Sequence, residues 1–265
     1  MLLSWKIQSF KSKHILIIMS DFGWTRKDEL RFFLPLIIFL INIKSKIKMK
    51  KENIHKIMKI LCKKYCSNEK TTLNRMRTKP NPFKILIACL LSLRARDEST
   101  EKVSKKLFAV ANTPEKISKI PLKKLEKLIF SSGHYKKKAK TLKHVSRVLI
   151  NKYNSKVPNT KEELLSIKGI GSKTANIVLA FAYGKLVIPV DVHVHVISNR
   201  LRWVNSKNPE GTEKQLERRI PKKYWKELNS ILLQFGQEIC ITISPWCSKC
   251  QIKNYCPRIG VGKSR

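Results

Sequence analysis

The stretch TKEELLSIKGIGSKTANIVLAFAY, residues 160–183, decides the fold. Thr160 with Glu163 three positions later is a capping-box pattern, in which two orphan N–H groups at a helix start are satisfied reciprocally. Leu164, Leu165 and Ile167 give the short helix that follows an apolar side. Lys168-Gly169-Ile170-Gly171 then breaks it, with two glycines able to take left-handed backbone angles. Ser172 is placed to cap a second helix. Ala175, Val178, Leu179 and Ala182 fall at i, i+3, i+4 and i+7, the stripe of a helix buried on one side, and Gly184 ends it. Two helices joined by a glycine turn make a helix-hairpin-helix. Its glycines let backbone N–H groups approach a phosphate, and the second helix points its positive end there.

Outward from this hairpin the chain keeps helical periodicity. Ile54, Ile57, Met58 and Leu61 share one stripe of a helix from Lys50 to about Cys66. Lys79-Pro80-Asn81-Pro82 breaks the chain, and Phe83–Leu93 follows as a nearly continuous apolar helix suited to a domain centre. Further helices are expected over Glu98–Ala111, Pro121–Ser131 and Lys136–Tyr153, with Thr113-Pro114 and Ile120-Pro121 as starts. The run Lys136-Lys137-Lys138 reads as a solvated face. Apolar content of 42% is enough for a proper core, while nine glycines and eleven prolines in 265 residues argue against a turn-rich β protein. The expected fold class is all-α.

Residues 1–48 differ from the rest. Phe32–Ile41 is a ten-residue apolar run interrupted by Pro35, shorter than the roughly 20 residues a membrane helix needs. Asp21, Asp28 and Glu29 precede it, and no small-residue cleavage site follows, so a signal peptide fits poorly. Two readings stay open: a loose interfacial anchor, or translation beginning at Met49.

The formal net charge is +38. Such an excess repels itself unless a polyanion or counterions screen it, which makes nucleic acid the first partner to consider. Four of the seven cysteines, Cys240, Cys247, Cys250 and Cys256, are separated by six, two and five residues. Four thiolates from one short coil suit a [4Fe-4S] cluster, whereas a zinc site more often uses two close pairs; zinc stays as the alternative. Cys62, Cys66 and Cys89 lie outside this motif and are expected as free thiols in a core, which suits a reducing interior.

Lys173 lies in the first turn of the hairpin's second helix, off its buried stripe. The helix dipole disfavours a cation there and so favours the neutral amine, which can attack an electrophilic carbon and form a Schiff base. The competing reading is a surface lysine on a phosphate. Val190–Val196 alternates like a strand, yet its surroundings are helical; Asp191 is read as the N-cap of a helix running to about Trp203. Capping alone justifies that aspartate, but if the helix start faces Lys173 its carboxylate could also shuttle protons. His193 and His195, at i and i+2, do not share a helix face and are read as surface or DNA-facing residues, not as a metal pair.

Leu86-Ile87-Ala88-Cys89-Leu90-Leu91-Ser92, Lys168 through Ala175, Val190-Asp191-Val192-His193 and the cysteine spacing together resemble endonuclease III, the iron–sulfur DNA glycosylase/lyase family of base-excision repair. The resemblance runs from about Met49 to Pro257. It implies two helical lobes with DNA across the cleft: a six-helix barrel over 75–185, holding the helix-hairpin-helix at 160–183, and a discontinuous cluster-bearing lobe made of 49–74 and 186–265, with 1–48 as an extension. It implies Lys173 as nucleophile and Asp191, 18 positions on, as its partner carboxylate. Gly169, Gly171, Ser172 and His193 fall to DNA binding, His134 to the wedge that fills the gap left by a flipped nucleotide, and Arg94 to the position facing the orphan base. Cys240, Cys247, Cys250 and Cys256 become the cluster ligands. The implied enzyme is a monomer acting on damaged double-stranded DNA, cytoplasmic and nucleoid-associated if prokaryotic, with no membrane required. Two other readings remain: an adenine or mismatch glycosylase of the same superfamily, whose members usually lack a lysine at this position, and a non-catalytic DNA-binding module with a structural four-cysteine metal site.

Overall fold

The computed structural model describes residues 53–66, 71–95 and 97–265. The apolar run Phe32–Ile41 and the start at Met49 lie outside them. The described residues are helical, with no strand among them. In chain order the helices are α1 (53–65), α2 (Thr72–Arg75), α3 (Pro82–Ser92), α4 (Asp97–Val110), α5 (Pro114–Lys119), α6 (Leu122–Leu128), α7 (Tyr135–Tyr153), α8 (Lys161–Ser166), α9 (Ser172–Tyr183), α10 (Val192–Arg200), α11 (Pro209–Arg219) and α12 (Trp225–Glu238).

Caps written in the sequence set several of the starts. Asn81 accepts from the Lys84 N–H at 2.9 Å, and Thr113 from the Lys116 N–H at 3.3 Å, each with proline at the next position. The expected Pro121–Ser131 helix is instead two pieces. α6 stops at Leu128, Ile129 leaves helical geometry, and a 3₁₀ turn over Phe130–Ser132 leads to Gly133 and His134, both at positive φ.

Apolar side chains gather in two clusters. One is built on α3, whose Ile85–Leu91 are all buried, with Leu142, Val145 and Leu149 of α7 and Ala175 and Val178 of α9. The other joins the buried stripe of α1 to Val194 and Ile197 of α10 and Leu228, Ile231 and Phe235 of α12. Arg77 links them, donating both its terminal nitrogens to Glu227 of α12, at 3.0 and 3.3 Å, while its guanidinium lies 4.7 Å over the Phe181 ring.

The segment between α9 and α10 crosses from one cluster to the other with Ile188 and Val190 buried. Buried carbonyls need donors, and two asparagines supply them: Asn176 of α9 to Ile188 O at 3.2 Å, and Asn229 of α12 to Pro189 O at 3.0 Å. This double tether fixes the chain just before Asp191.

Two expectations about side chains fail. Cys62 and Cys66 form a disulfide between the last turn of α1 and the residue just past its end, four positions apart in sequence. Cys89 is a free buried thiol, as expected. In the lysine run, Lys136 and Lys137 are exposed but Lys138 is buried, because it continues the Leu142, Val145, Leu149 stripe of α7.

Candidate active site and cysteine centre

The hairpin begins with Thr160, whose hydroxyl accepts from the Glu163 N–H at 3.3 Å and donates to the Glu163 carboxylate at 2.6 Å. Of the two glycines only Gly169 is left-handed, at φ +101°; an added Cβ would come within 2.7 Å of Thr141 Cγ2. Gly171 is extended, at φ −98°, with open space around it, and it takes the N-cap position expected of Ser172. Ser172 is instead the first helical residue, and its hydroxyl donates to Glu213 of α11 at 2.9 Å. The same carboxylate accepts from the Lys161 ammonium, so one buried acid ties both helices of the hairpin to α11. The two helices are therefore held while the turn between them keeps its backbone open.

Lys173 projects, half-buried, from the first turn of α9. Asp191 is the N-cap of α10, 6% exposed, its Oδ1 accepting from the Val194 N–H at 2.9 Å. The strand-like alternation here folds as helix because that cap and the buried Val194 and Ile197 set a 3.6-residue period; α10 stops at Arg200, short of Trp203. Lys173 and Asp191 line two cavities together. One is completed by Gly171, Ser172, His195 and Glu213, the other by Ser92, Phe181, Asn229 and Gln237.

The two histidines, expected as surface or DNA-facing residues, are both half-buried. His193 is half-buried against α12, where a Cβ on Gly236 would come within 2.4 Å of its Nδ1. Burial holds its imidazole below the ordinary value, Asp191 opposes that shift, and Lys173 adds to it, so the three groups are within electrostatic reach of one another. His195 Nδ1 lies 2.7 Å from the Thr212 hydroxyl, which also reaches Asn208 O at 3.1 Å.

Arg94 and His134, expected at the DNA tips, are both exposed and both left-handed, at φ 54° and 48°. Their turns are adjacent: an added Cβ on Gly133 would lie 3.6 Å from Arg94 O.

Cys240, Cys247, Cys250 and Cys256 line one cavity, closed by apolar side chains such as Ile197, Phe235 and Ile252. Among the described residues no three His, Cys, Asp or Glu side chains converge to hold a single ion. Burial pushes the Cys250 thiol up to about 11 and raises Cys240 and Cys256 as well, so ionised sulfurs here need a metal to compensate them. These residues fit a four-thiolate polynuclear group. Arg200, 6% exposed, donates to Cys240 O at 3.2 Å, Cys240 Sγ at 3.3 Å, Ile241 O at 2.8 Å and Thr242 O at 2.6 Å.

Arg200 and Glu213 escaped sequence reasoning, which placed Lys138 on a solvated face. Each carried a signal: a charged residue standing on an apolar helical stripe, beside Ile197, Leu216 and Leu142 respectively.

Residues 87–222 match the family model described as HhH-GPD superfamily base excision DNA repair protein. Endonuclease III of Thermotoga maritima is 42% identical over 215 residues, which are 80% of this chain and 97% of that protein. Endonuclease III of Bacillus subtilis is 37% identical over 179 residues, 66% of this chain and 81% of the relative. A solved trapped endonuclease III–DNA covalent intermediate, an estranged-adenine complex, superposes with TM-score 0.69 at 32% identity, covering 81% of this chain and 96% of that one.

Proposed function

The chain belongs to the HhH-GPD superfamily of base excision DNA repair proteins, and within it to the endonuclease III family, and from that premise we propose that this DNA glycosylase is bifunctional, removing oxidised pyrimidines from duplex DNA and nicking the strand at the resulting abasic site. The observation that carries the reading is the pairing of Lys173 with Asp191 across shared cavities, one amine and one carboxylate at the helix start beside an open glycine turn.

The hairpin's backbone N–H groups hold a phosphate, and the damaged nucleotide swings out of the stack, since its sugar carbon is otherwise inaccessible. The Lys173 amine attacks C1′, and the bond from C1′ to the base breaks, with its electrons leaving on the base. The sugar ring opens to a Schiff base between Lys173 and C1′. Loss of a C2′ proton then drives the C3′–O bond to break, which nicks the strand 3′ to the lesion and releases the phosphate as the leaving group. Asp191 assists the proton transfers and balances the positive charge that develops. Arg94 and His134 enter the duplex at the orphan base and the vacated gap.

Cys240, Cys247, Cys250 and Cys256 would hold a [4Fe-4S] cluster, which supplies a structural crosslink for the surrounding loop and no step of base release. Ile241–Trp246, between the first two of these cysteines, has no Lys or Arg, and Ile243 is 83% exposed. In this reading Lys249, Lys253 or Arg258 takes the place of a cation gripping the backbone on this side. The protein acts as a monomer.

Borohydride reduction on an abasic duplex tests the reading. A covalent protein–DNA adduct is expected from the native sequence and none from Lys173→Ala. An adduct of undiminished yield in that variant would remove Lys173 as the nucleophile.

A further inference from the structure

Lys138 is a cation inside the first hydrophobic cluster, 8% exposed, flanked in sequence by Ala139 and one turn from Leu142. Nothing in the chemistry proposed for Lys173 and Asp191 uses it. Its ammonium donates to two main-chain carbonyls that lie far apart in sequence: Leu91 O at 2.7 Å, in the last turn of α3, and Ser132 O, at the end of the 3₁₀ turn. A cation is favoured at the negative end of a helix such as α3, and last-turn carbonyls lack intrahelical donors.

The residues just beyond the two carbonyls give the contact its meaning. Three residues after Leu91 stands Arg94, and two after Ser132 stands His134; both are non-glycine residues in left-handed geometry. Such geometry is unfavourable for these side chains and persists only where the surroundings over-determine it. Lys138 reaches the root of both turns, and Gly133 packs beside Arg94 O between them. Lys143, five residues on in α7, donates in the same way to Ser118 O and Ile120 O, but no left-handed residue stands beyond those carbonyls, so a lysine–carbonyl bond does not by itself build a tip.

We propose that Lys138 is a positioning residue: its buried ammonium clamps the turns bearing Arg94 and His134 into a single two-pronged wedge for insertion into duplex DNA. This rests on the reading of those two side chains as the DNA-entering tips, though not on any chemistry at Lys173. Burial lowers the Lys138 ammonium to about 8, so it is held where a charge is costly, as expected of a group retained for geometry.

The test separates insertion from both binding and catalysis. The probe is a duplex with a tetrahydrofuran abasic analogue, which cannot react with an amine, and 2-aminopurine opposite it. Binding of the native protein should brighten the 2-aminopurine as the tips displace it. Lys138→Met should lose most of that brightening while Kd stays within about threefold, because phosphate contacts set affinity. Lys136→Met and Lys137→Met, at exposed neighbours, should keep the brightening. In an Arg94→Gly/His134→Gly background, where glycine accepts the same backbone angles, adding Lys138→Met should change nothing further. Should Lys138→Met fail to fold, Lys138→Gln, with one short amide donor group, gives the same reading. Full brightening in the Lys138 variant, or an equal further loss in the tipless background, would overturn the proposal. Failure of Schiff-base chemistry would leave this measurement unaffected, so the two readings fall separately.

Discussion

Replacing Arg200 by methionine should loosen the cysteine centre before it disturbs the rest of the molecule. The guanidinium is 6% exposed and donates to three successive carbonyls, Cys240, Ile241 and Thr242, as well as to Cys240 Sγ. Methionine fills much of the same volume but donates nothing. The Thr242 carbonyl belongs to an exposed residue and can turn to water, whereas those of Cys240 and Ile241 belong to half-buried residues. Two charge-assisted hydrogen bonds at about 1.5 kcal/mol each give a loss of about 3 kcal/mol. For a folded unit of this size that is a fall of about 6–12 °C in Tm. Arg200→Lys should recover less than half of it, since an ammonium cannot span the fork that reaches both Ile241 and Thr242. Thermal melts followed by circular dichroism and by visible absorbance of the proposed cluster read the two processes in parallel. Absorbance should fade at a lower temperature than helicity. A Tm within about 2 °C of the native protein, or absorbance and helicity lost together with no shift between them, would refute the assignment of Arg200 as the organiser of this loop.

Three further outcomes are tied to particular geometries. Lys138 has an ordinary value of 10.5 that burial lowers to about 8. Below pH 8 both folded and unfolded chains carry the proton, and the folded one bears the cost of the buried charge; between the two values the unfolded chain binds more protons, so stability rises with pH. Urea titrations should show the native protein gaining up to about 3 kcal/mol over Lys138→Met between about pH 7 and pH 10.5. Gly169→Ala should cost about 1–3 kcal/mol, because φ of +101° is strained for any side chain and Thr141 stands in the way, while Gly171→Ala, sterically open but a poorer N-cap, should cost only about 0.5–1 kcal/mol yet weaken binding to an abasic duplex. Asp191→Asn keeps an N-cap of equal quality, so melting and DNA affinity should stay close to native while single-turnover nicking slows; loss of binding instead would make the residue a structural cap only.

Local grammar made much of the fold legible. Thr160 with Glu163, Asn81 before Pro82 and Thr113 before Pro114 cap the helices where they stand in the chain, because caps act through residues three apart. The positions of Lys173 and Asp191 were legible too, and folding brings them to shared cavities. What sequence could not supply was tertiary. Val190–Val196 alternates like a strand; the Asp191 cap marked it as helix, but its stop at Arg200, short of Trp203, was not legible. Ser172 looked like a cap until Glu213, 41 residues away, took its hydroxyl and left the N-cap to Gly171. Lys138 looked like one of three solvated lysines, yet its partners at Leu91 and Ser132 come from two other turns. Charged residues on apolar stripes were visible; the carbonyls and carboxylates that justify them were not.

The most direct test of the central claim is peptide mapping of the borohydride-reduced adduct. After nuclease and protease digestion, mass spectrometry should find the deoxyribose remnant on the peptide carrying Lys173, bonded at its Nζ. A remnant on any other lysine, or on the terminal amine, with Lys173 unmodified would contradict the account.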